Sequence, residues 1–193
     1  QEGPWFYKRN GKYYLAFAST CCPEGIGYAM SDSPIGPWEY KGHIMDHTPR
    51  TRGNHPGIID YKGKSYVFGL CYDIFRLETP RHAERRSAVA AEMHYNEDGT
   101  IQMLPYFQDC ELNQIEPLNP FRKVEAETIA WGYGLKTTPR RAWGTHSTNQ
   151  IVTNIDENEF ILVKGVDLGE GAKTIKECAS THLMGGTIEL HLD

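Results

Sequence analysis

The chain has 193 residues, of which 39% are hydrophobic and 23% charged, a balance typical of folded globular chains that excludes disordered and collagen-like classes. Its formal charge of -5 is spread along the whole length, so no basic face suits a phosphate backbone and nucleic acid is not an expected partner. No apolar run approaches the roughly 20 residues of a membrane-spanning helix, so no membrane span is expected, and a first residue of Gln1 places the expected natural N-terminus upstream.

In chain order, Tyr7-Lys8-Arg9-Asn10-Gly11-Lys12-Tyr13-Tyr14-Leu15 predicts a hairpin, because Asn10 and Gly11 tolerate the positive φ that a tight turn requires between two strand-like runs. The strand after the turn covers residues 13–18. His43 and His47 stand four apart, as two metal ligands on a helix would, but Pro49 and the lack of a helical period favour surface histidines over a zinc site. In Gly53-Asn54-His55-Pro56-Gly57 a histidine sits among turn formers just before a strand, where its ring either enters a cavity or lies on the loop surface. Tyr61-Lys62-Gly63-Lys64-Ser65-Tyr66-Val67 then repeats the first hairpin. Aligned on Gly11 and Gly63, the two copies are 52 residues apart, close to the ~40 to 50 residues of a propeller blade.

Residues 83–93 are the only stretch able to pass for a helix, and Ser87-Ala88-Val89-Ala90-Ala91 within it is equally compatible with a buried strand; it is read as strand. Asn96-Glu97-Asp98-Gly99 supplies a further turn. The polar run 113–120, with Pro117 and Pro120, is the expected linker between a first domain over 1–112 and a second over 121–193. Strands are expected at 160–163 and 187–192, which makes the second domain part of a β-sandwich. An all-β chain follows. Five cysteines, Cys21, Cys22, Cys71, Cys110 and Cys178, form an odd set without CxxC spacing, so neither a zinc ribbon nor a disulfide scaffold is indicated. The absence of GxSxG, Walker and GxGxxG patterns disfavours serine-nucleophile and nucleotide chemistry.

Glu2-Gly3-Pro4-Trp5-Phe6-Tyr7-Lys8-Arg9-Asn10-Gly11-Lys12-Tyr13-Tyr14-Leu15, Ser33-Pro34-Ile35-Gly36-Pro37-Trp38 and Gly53-Asn54-His55-Pro56-Gly57-Ile58-Ile59-Asp60-Tyr61-Lys62-Gly63, followed by Arg85-Arg86-Ser87 and Tyr95-Asn96-Glu97-Asp98-Gly99-Thr100-Ile101, resemble the later blades of family 43 of the glycoside hydrolases. From Pro120-Phe121-Arg122-Lys123-Val124-Glu125-Ala126-Glu127 through Gly185-Gly186-Thr187-Ile188-Glu189-Leu190-His191-Leu192-Asp193 the chain is similar to a family 6 carbohydrate-binding module. The pairing is typical of arabinoxylan arabinofuranohydrolases. The resemblance implies a partial five-bladed β-propeller followed by an incomplete jelly-roll sandwich. It further implies an inverting glycosidase that removes arabinofuranosyl or xylosyl groups from arabinoxylan, working as a monomer outside the cell or in the periplasm.

Residue by residue, the resemblance makes Glu2 the general acid and Arg86 the arginine that orients a catalytic carboxylate or the sugar. Inversion needs one protonated carboxyl and one carboxylate with a water between them, and burial or a neighbouring carboxylate would keep the acid protonated. Trp5, His55, Arg85 and Phe160 are the implied substrate-binding residues. Calcium is the implied cofactor, one ion near His55 in the propeller centre and one structural ion held by Glu125, Glu127 and Asp193, whose oxygens suit a hard cation. In the family's order the general-base aspartate and a second, pKa-setting aspartate precede the acid, so both are expected upstream of Glu2. No motif makes Asp32, Asp60 or Asp73 a replacement, and the 193-residue chain is therefore expected to be an incompetent fragment of a hydrolase. The alternative is a noncatalytic carbohydrate-binding or structural protein that keeps the fold.

Overall fold

Asn10 and Gly11 take φ values of 47° and 83°, and Lys62 and Gly63 take 49° and 79°, so both expected hairpins close through left-handed turn residues. The first turn joins β1 (Glu2–Arg9) to β2 (Lys12–Ser19), and the chain continues through β3 (Gly25–Ser31) and β4 (Glu39–Met45) into a four-stranded antiparallel sheet of order β1-β2-β3-β4. The second turn joins β5 (Gly57–Tyr61) to β6 (Lys64–Cys71), which pairs with β7 (Ser87–Met93) in a three-stranded sheet of order β5-β6-β7. Each repeated hairpin thus opens its own meander, the construction of a propeller blade. This computed structural model describes residues 2–19, 23–50, 54–72, 87–140, 149–181 and 185–192.

The core lies between these two sheets. Tyr14, Ala16 and Ala18 alternate inward along β2, and every residue of β3 is buried, which is why that strand is built from Gly, Ala, Ile, Tyr, Met and Ser in place of charged residues. Tyr14, Ile26, Tyr28 and Ile44 of the first sheet join Ile58, Val67, Ala91 and Met93 of the second in one buried cluster. The return segment after β7 laces the sheets together. The Ile101 N–H donates to the Tyr28 hydroxyl at 2.8 Å, the Tyr14 hydroxyl donates to the Gly99 carbonyl at 2.8 Å, and the Leu104 N–H donates to the Ile44 carbonyl at 2.7 Å. The Tyr7 and Tyr95 hydroxyls meet at 2.8 Å, and the Arg9 guanidinium lies 3.9 Å from the centre of the Tyr95 ring. Burial pushes the Tyr95 phenol up to about 12, and burial with the Tyr95 hydrogen bond pushes Tyr7 further upward.

The chain divides into two units, Gln1–Gln114 and Ile115–Asp193. In the second, β8 (Trp131–Tyr133) pairs with β11 (Phe160–Leu162), and β9 (Lys136–Pro139) pairs with β10 (Gln150–Thr153). Leu118, inside the expected linker, exchanges backbone hydrogen bonds with Gly165 at 2.8 Å and Asp167 at 2.9 Å. No described side chain of this unit is buried. The expected strand at 187–192 is not formed: Ile188, Leu190 and Leu192 are exposed, and the segment has no pairing strand among the described residues. Alternation alone cannot hold a strand whose ladder lacks a partner. Cys71, Cys110 and Cys178 are free thiols, while Cys21 and Cys22 lie outside the described residues.

Candidate active site

The first sheet places Glu2 at the start of its edge strand, opposite Ala18, and the register of β1 against β2 shifts between Glu2 and Trp5. Gly3 absorbs that irregularity with a φ of 59°, and Pro4, which has no N–H to offer a ladder, is tolerated on the edge. The second sheet supplies the partner. His55, two residues before β5, turns its ring toward β1, and its Nε2 stands 3.2 Å from Glu2 Oε1. The imidazole fills the space beside Gly3: a Cβ there would fall 2.3 Å from the His55 Cγ. Glu2 and His55 expose 62% and 43% of their side chains, so the pair opens to solvent and is accessible to a substrate. The burial expected to keep Glu2 protonated is not provided by the described residues; what they provide is a carboxyl open to a bound group, with an imidazole in reach.

Behind the pair lie two residues to which the sequence assigned no role. Glu24, buried at the entrance to β3, accepts the Asn54 backbone N–H through Oε2 at 2.9 Å. Asn54, fully buried, accepts the Leu70 N–H through Oδ1 at 3.2 Å. An asparagine directly before the histidine was the available signal, since a short amide side chain commonly bonds nearby backbone.

The other expected site residues are dispersed. Trp5 is on β1 with Glu2, half-exposed and opposite Ala16. Arg85, Arg86 and Asp193 lie outside the described residues. Phe160 is in the second unit, where its ring stacks on Tyr133 at 6.4 Å and an interplanar angle of 20°, both rings exposed. Sequence reasoning missed Tyr133, which becomes visible only once β8 and β11 are paired. Glu125 is engaged by the Lys123 ammonium at 2.5 Å, and that hydrogen bond lowers its carboxyl below the usual range. Glu127 is half-buried. Among the described residues no three His, Cys, Asp or Glu side chains converge into a metal-holding group. His43 is on strand β4, largely covered, and meets the buried Ser19 Oγ at 2.9 Å, so it is not the surface histidine expected; His47 is exposed and meets Asp46 at 2.8 Å.

Asp32 and Asp60 both stand far from Glu2. Asp60 pairs with Arg9 at 3.5 Å and Asp32 with Lys12 at 2.5 Å, and Arg9 and Lys12 face each other at the turn end of β1 and β2. Glu2 is at the opposite end of the eight-residue strand, roughly 20 Å away at ~3.3 Å per residue. Inverting glycosidases hold their two carboxyls about 6.5 to 9.5 Å apart. Neither aspartate meets that spacing, and Asp73 lies outside the described residues.

An all-β chain built of antiparallel meanders packed on a common core has the form of part of a propeller. Residues 1–101 match the family described as glycosyl hydrolases family 43, and the chain belongs to that family. An arabinoxylan arabinofuranohydrolase of Paenibacillus polymyxa is 34% identical over 205 aligned residues, covering 100% of this chain and 32% of that protein. A β-xylosidase of Xylanibacter ruminicola is 35% identical over 52% of this chain and 30% of its own length. Among solved structures, the family 43 arabinoxylan arabinofuranohydrolase of Bacillus subtilis in complex with cellotetraose superposes with a TM-score of 0.72 at 29% identity, over 87% of this chain and 37% of that one. The chain therefore spans about a third of the length of the relatives it matches.

Proposed function

We propose that the protein carrying this chain is an inverting glycosidase that removes arabinofuranosyl or xylosyl groups from arabinoxylan-type polysaccharide. The observation that carries the reading is the Glu2–His55 pair at 3.2 Å, inside the region matched by the family. In the reaction the Glu2 carboxylic acid gives its proton to the glycosidic oxygen as the bond to the anomeric carbon breaks. A water attacks that carbon from the opposite face and loses its proton to a base carboxylate. Glu2 is left ionised and regains a proton from solvent. Asp32 and Asp60 stand too far from Glu2 to serve as that base, and the family's order puts the base carboxylate before the acid, so these 193 residues alone are expected to be inactive. A calcium ion near His55, or at Glu125 and Glu127, would need six to eight oxygen donors. Among the described residues no three His, Cys, Asp or Glu side chains converge at either place, so backbone carbonyls and waters would supply most of that set.

The test is Glu2→Gln in the full-length protein. Release of pentose from arabinoxylan is expected to fall about 100- to 10,000-fold. Release of p-nitrophenol from an aryl arabinofuranoside, whose leaving group needs little protonation, should fall much less. Equal losses on both substrates would remove Glu2 from the role of acid. NMR of the first product anomer reads inversion directly, and retention would refute that part. The 193-residue chain, assayed alone, should release neither arabinose nor xylose.

The exposed Tyr133–Phe160 stack favours an additional reading for the second unit, part of a family 6 carbohydrate-binding module whose stacked rings take a sugar face. Retardation of the full-length protein in gels containing arabinoxylan tests it, with Phe160→Ala expected to weaken retardation. Binding without hydrolysis by a protein whose upstream sequence lacks two motif aspartates would support the noncatalytic alternative. A polysaccharide substrate favours a site outside the cell or in the periplasm, which fractionation tests, and a monomer is expected by light scattering.

A further inference from the structure

We propose that Glu24 and Asn54 form a buried brace that sets the Glu2–His55 pair, Glu24 acting as a positioning residue. The catalytic consequence rests on the function proposed above. A carboxylate with 6% exposure is an uncommon interior residue, and here it accepts the backbone N–H of a residue that is itself fully buried. Glu24 leads into β3 of the first sheet, and Leu70, whose N–H the Asn54 side chain accepts, belongs to β6 of the second. Asn54 is thus tied to both sheets at once, and His55 is the next residue. A Cβ on Gly69 would lie 2.5 Å from Asn54 Oδ1, so the side chain fits closely against β6.

Gly3 lies close against the Cβ, Cγ and Cδ2 of His55. With its root held by the brace and by Gly3, the half-exposed ring keeps Nε2 at Glu2 although solvent would let it swing away. Asn54 Nδ2 is buried with no hydrogen-bond partner among the described residues. An apolar side chain would avoid that loss, so the asparagine is better explained by what its Oδ1 and main chain hold in place.

Three changes at one position, made in the full-length protein, test the brace. Glu24→Gln keeps an acceptor oxygen at the same reach; Glu24→Asp keeps the charge but withdraws it by one methylene; Glu24→Ala removes it. In the Asp and Ala variants kcat on arabinoxylan oligosaccharides is expected to fall about 10- to 100-fold with KM changed less than about twofold. In both, the Asn54 amide should lose hydrogen-exchange protection and the His55 ring resonance should move at fixed pH. The Gln variant should stay near wild type in all three readouts. Should the Ala variant fail to fold, the comparison of Gln with Asp decides. A folded Asp variant with wild-type kcat, an Asn54 amide still protected, or a His55 resonance unmoved would overturn the proposal. If the wild-type protein releases no pentose, the functional reading falls, and the Asn54 and His55 signals still decide the brace.

Discussion

Gly3→Ala is the substitution whose effect can be worked most directly from the structure. The added Cβ would stand 2.3 Å from His55 Cγ, 2.6 Å from Cδ2 and 2.7 Å from Cβ, whereas ordinary contact begins at 3.4 Å. The ring must retreat by about 1 Å, taking Nε2 from 3.2 Å to roughly 4 Å from Glu2, past the limit of a hydrogen bond. Because the ring is half-exposed it can swing outward, so packing is largely spared and the pair is lost. A φ of 59° adds about 1 to 2 kcal/mol of backbone strain for alanine. In a domain of this size that corresponds to a melting temperature lower by about 2 to 8 °C. A misplacement near 1 Å can cost about 100-fold in rate. The expected result in the full-length protein is therefore a small thermal shift, a displaced His55 ring resonance and a kcat on arabinoxylan reduced about 100-fold. A folded Gly3→Ala protein with wild-type kcat and an unmoved His55 signal would show that the glycine does not hold the ring.

Ile44→Ala, at a fully buried position in the cluster shared by the two sheets, should destabilise the first unit by about 2 to 5 kcal/mol, read as a lower urea midpoint. The Tyr95 phenol supplies a pH prediction. Its folded pKa is raised to about 12 by burial, so its contribution to stability is full below pH 10 and is lost as pH rises toward 12, where the unfolded chain has already released the proton. Tyrosinate absorbance at 295 nm and circular dichroism followed together should show part of the tyrosine signal appearing only as the sheet signal is lost. Complete ionisation near pH 10 with the sheets intact would contradict the burial argument.

The two hairpins were legible because Asn10-Gly11 and Lys62-Gly63 announce their backbone conformation; β7 forms as the expected strand but as a partly covered edge strand, with Ala91 and Met93 buried and Ala88 exposed. β3 was harder to see. Gly-Ile-Gly-Tyr-Ala-Met-Ser has weak intrinsic strand preference, and its placement follows from neighbours on both edges. At 187–192 the reverse holds: the alternation is clear, but no described strand pairs with it. Glu2 and His55 entered the candidate site through family resemblance, and their contact at 3.2 Å joins residues 53 apart in sequence, which no local pattern reports. Glu24 was silent for the same reason, since its partner Asn54 is 30 residues away.

The carboxyl and the imidazole arrive from different sheets, one on a leading strand and the other on the approach to a leading strand. Their separation is consequently a property of the seam between the sheets. Residues such as Tyr14, Ile58 and Val67, which never meet a sugar, act as shims in that seam. Small changes in their volume offer an evolutionary route to retune proton delivery while leaving every residue of the site unaltered.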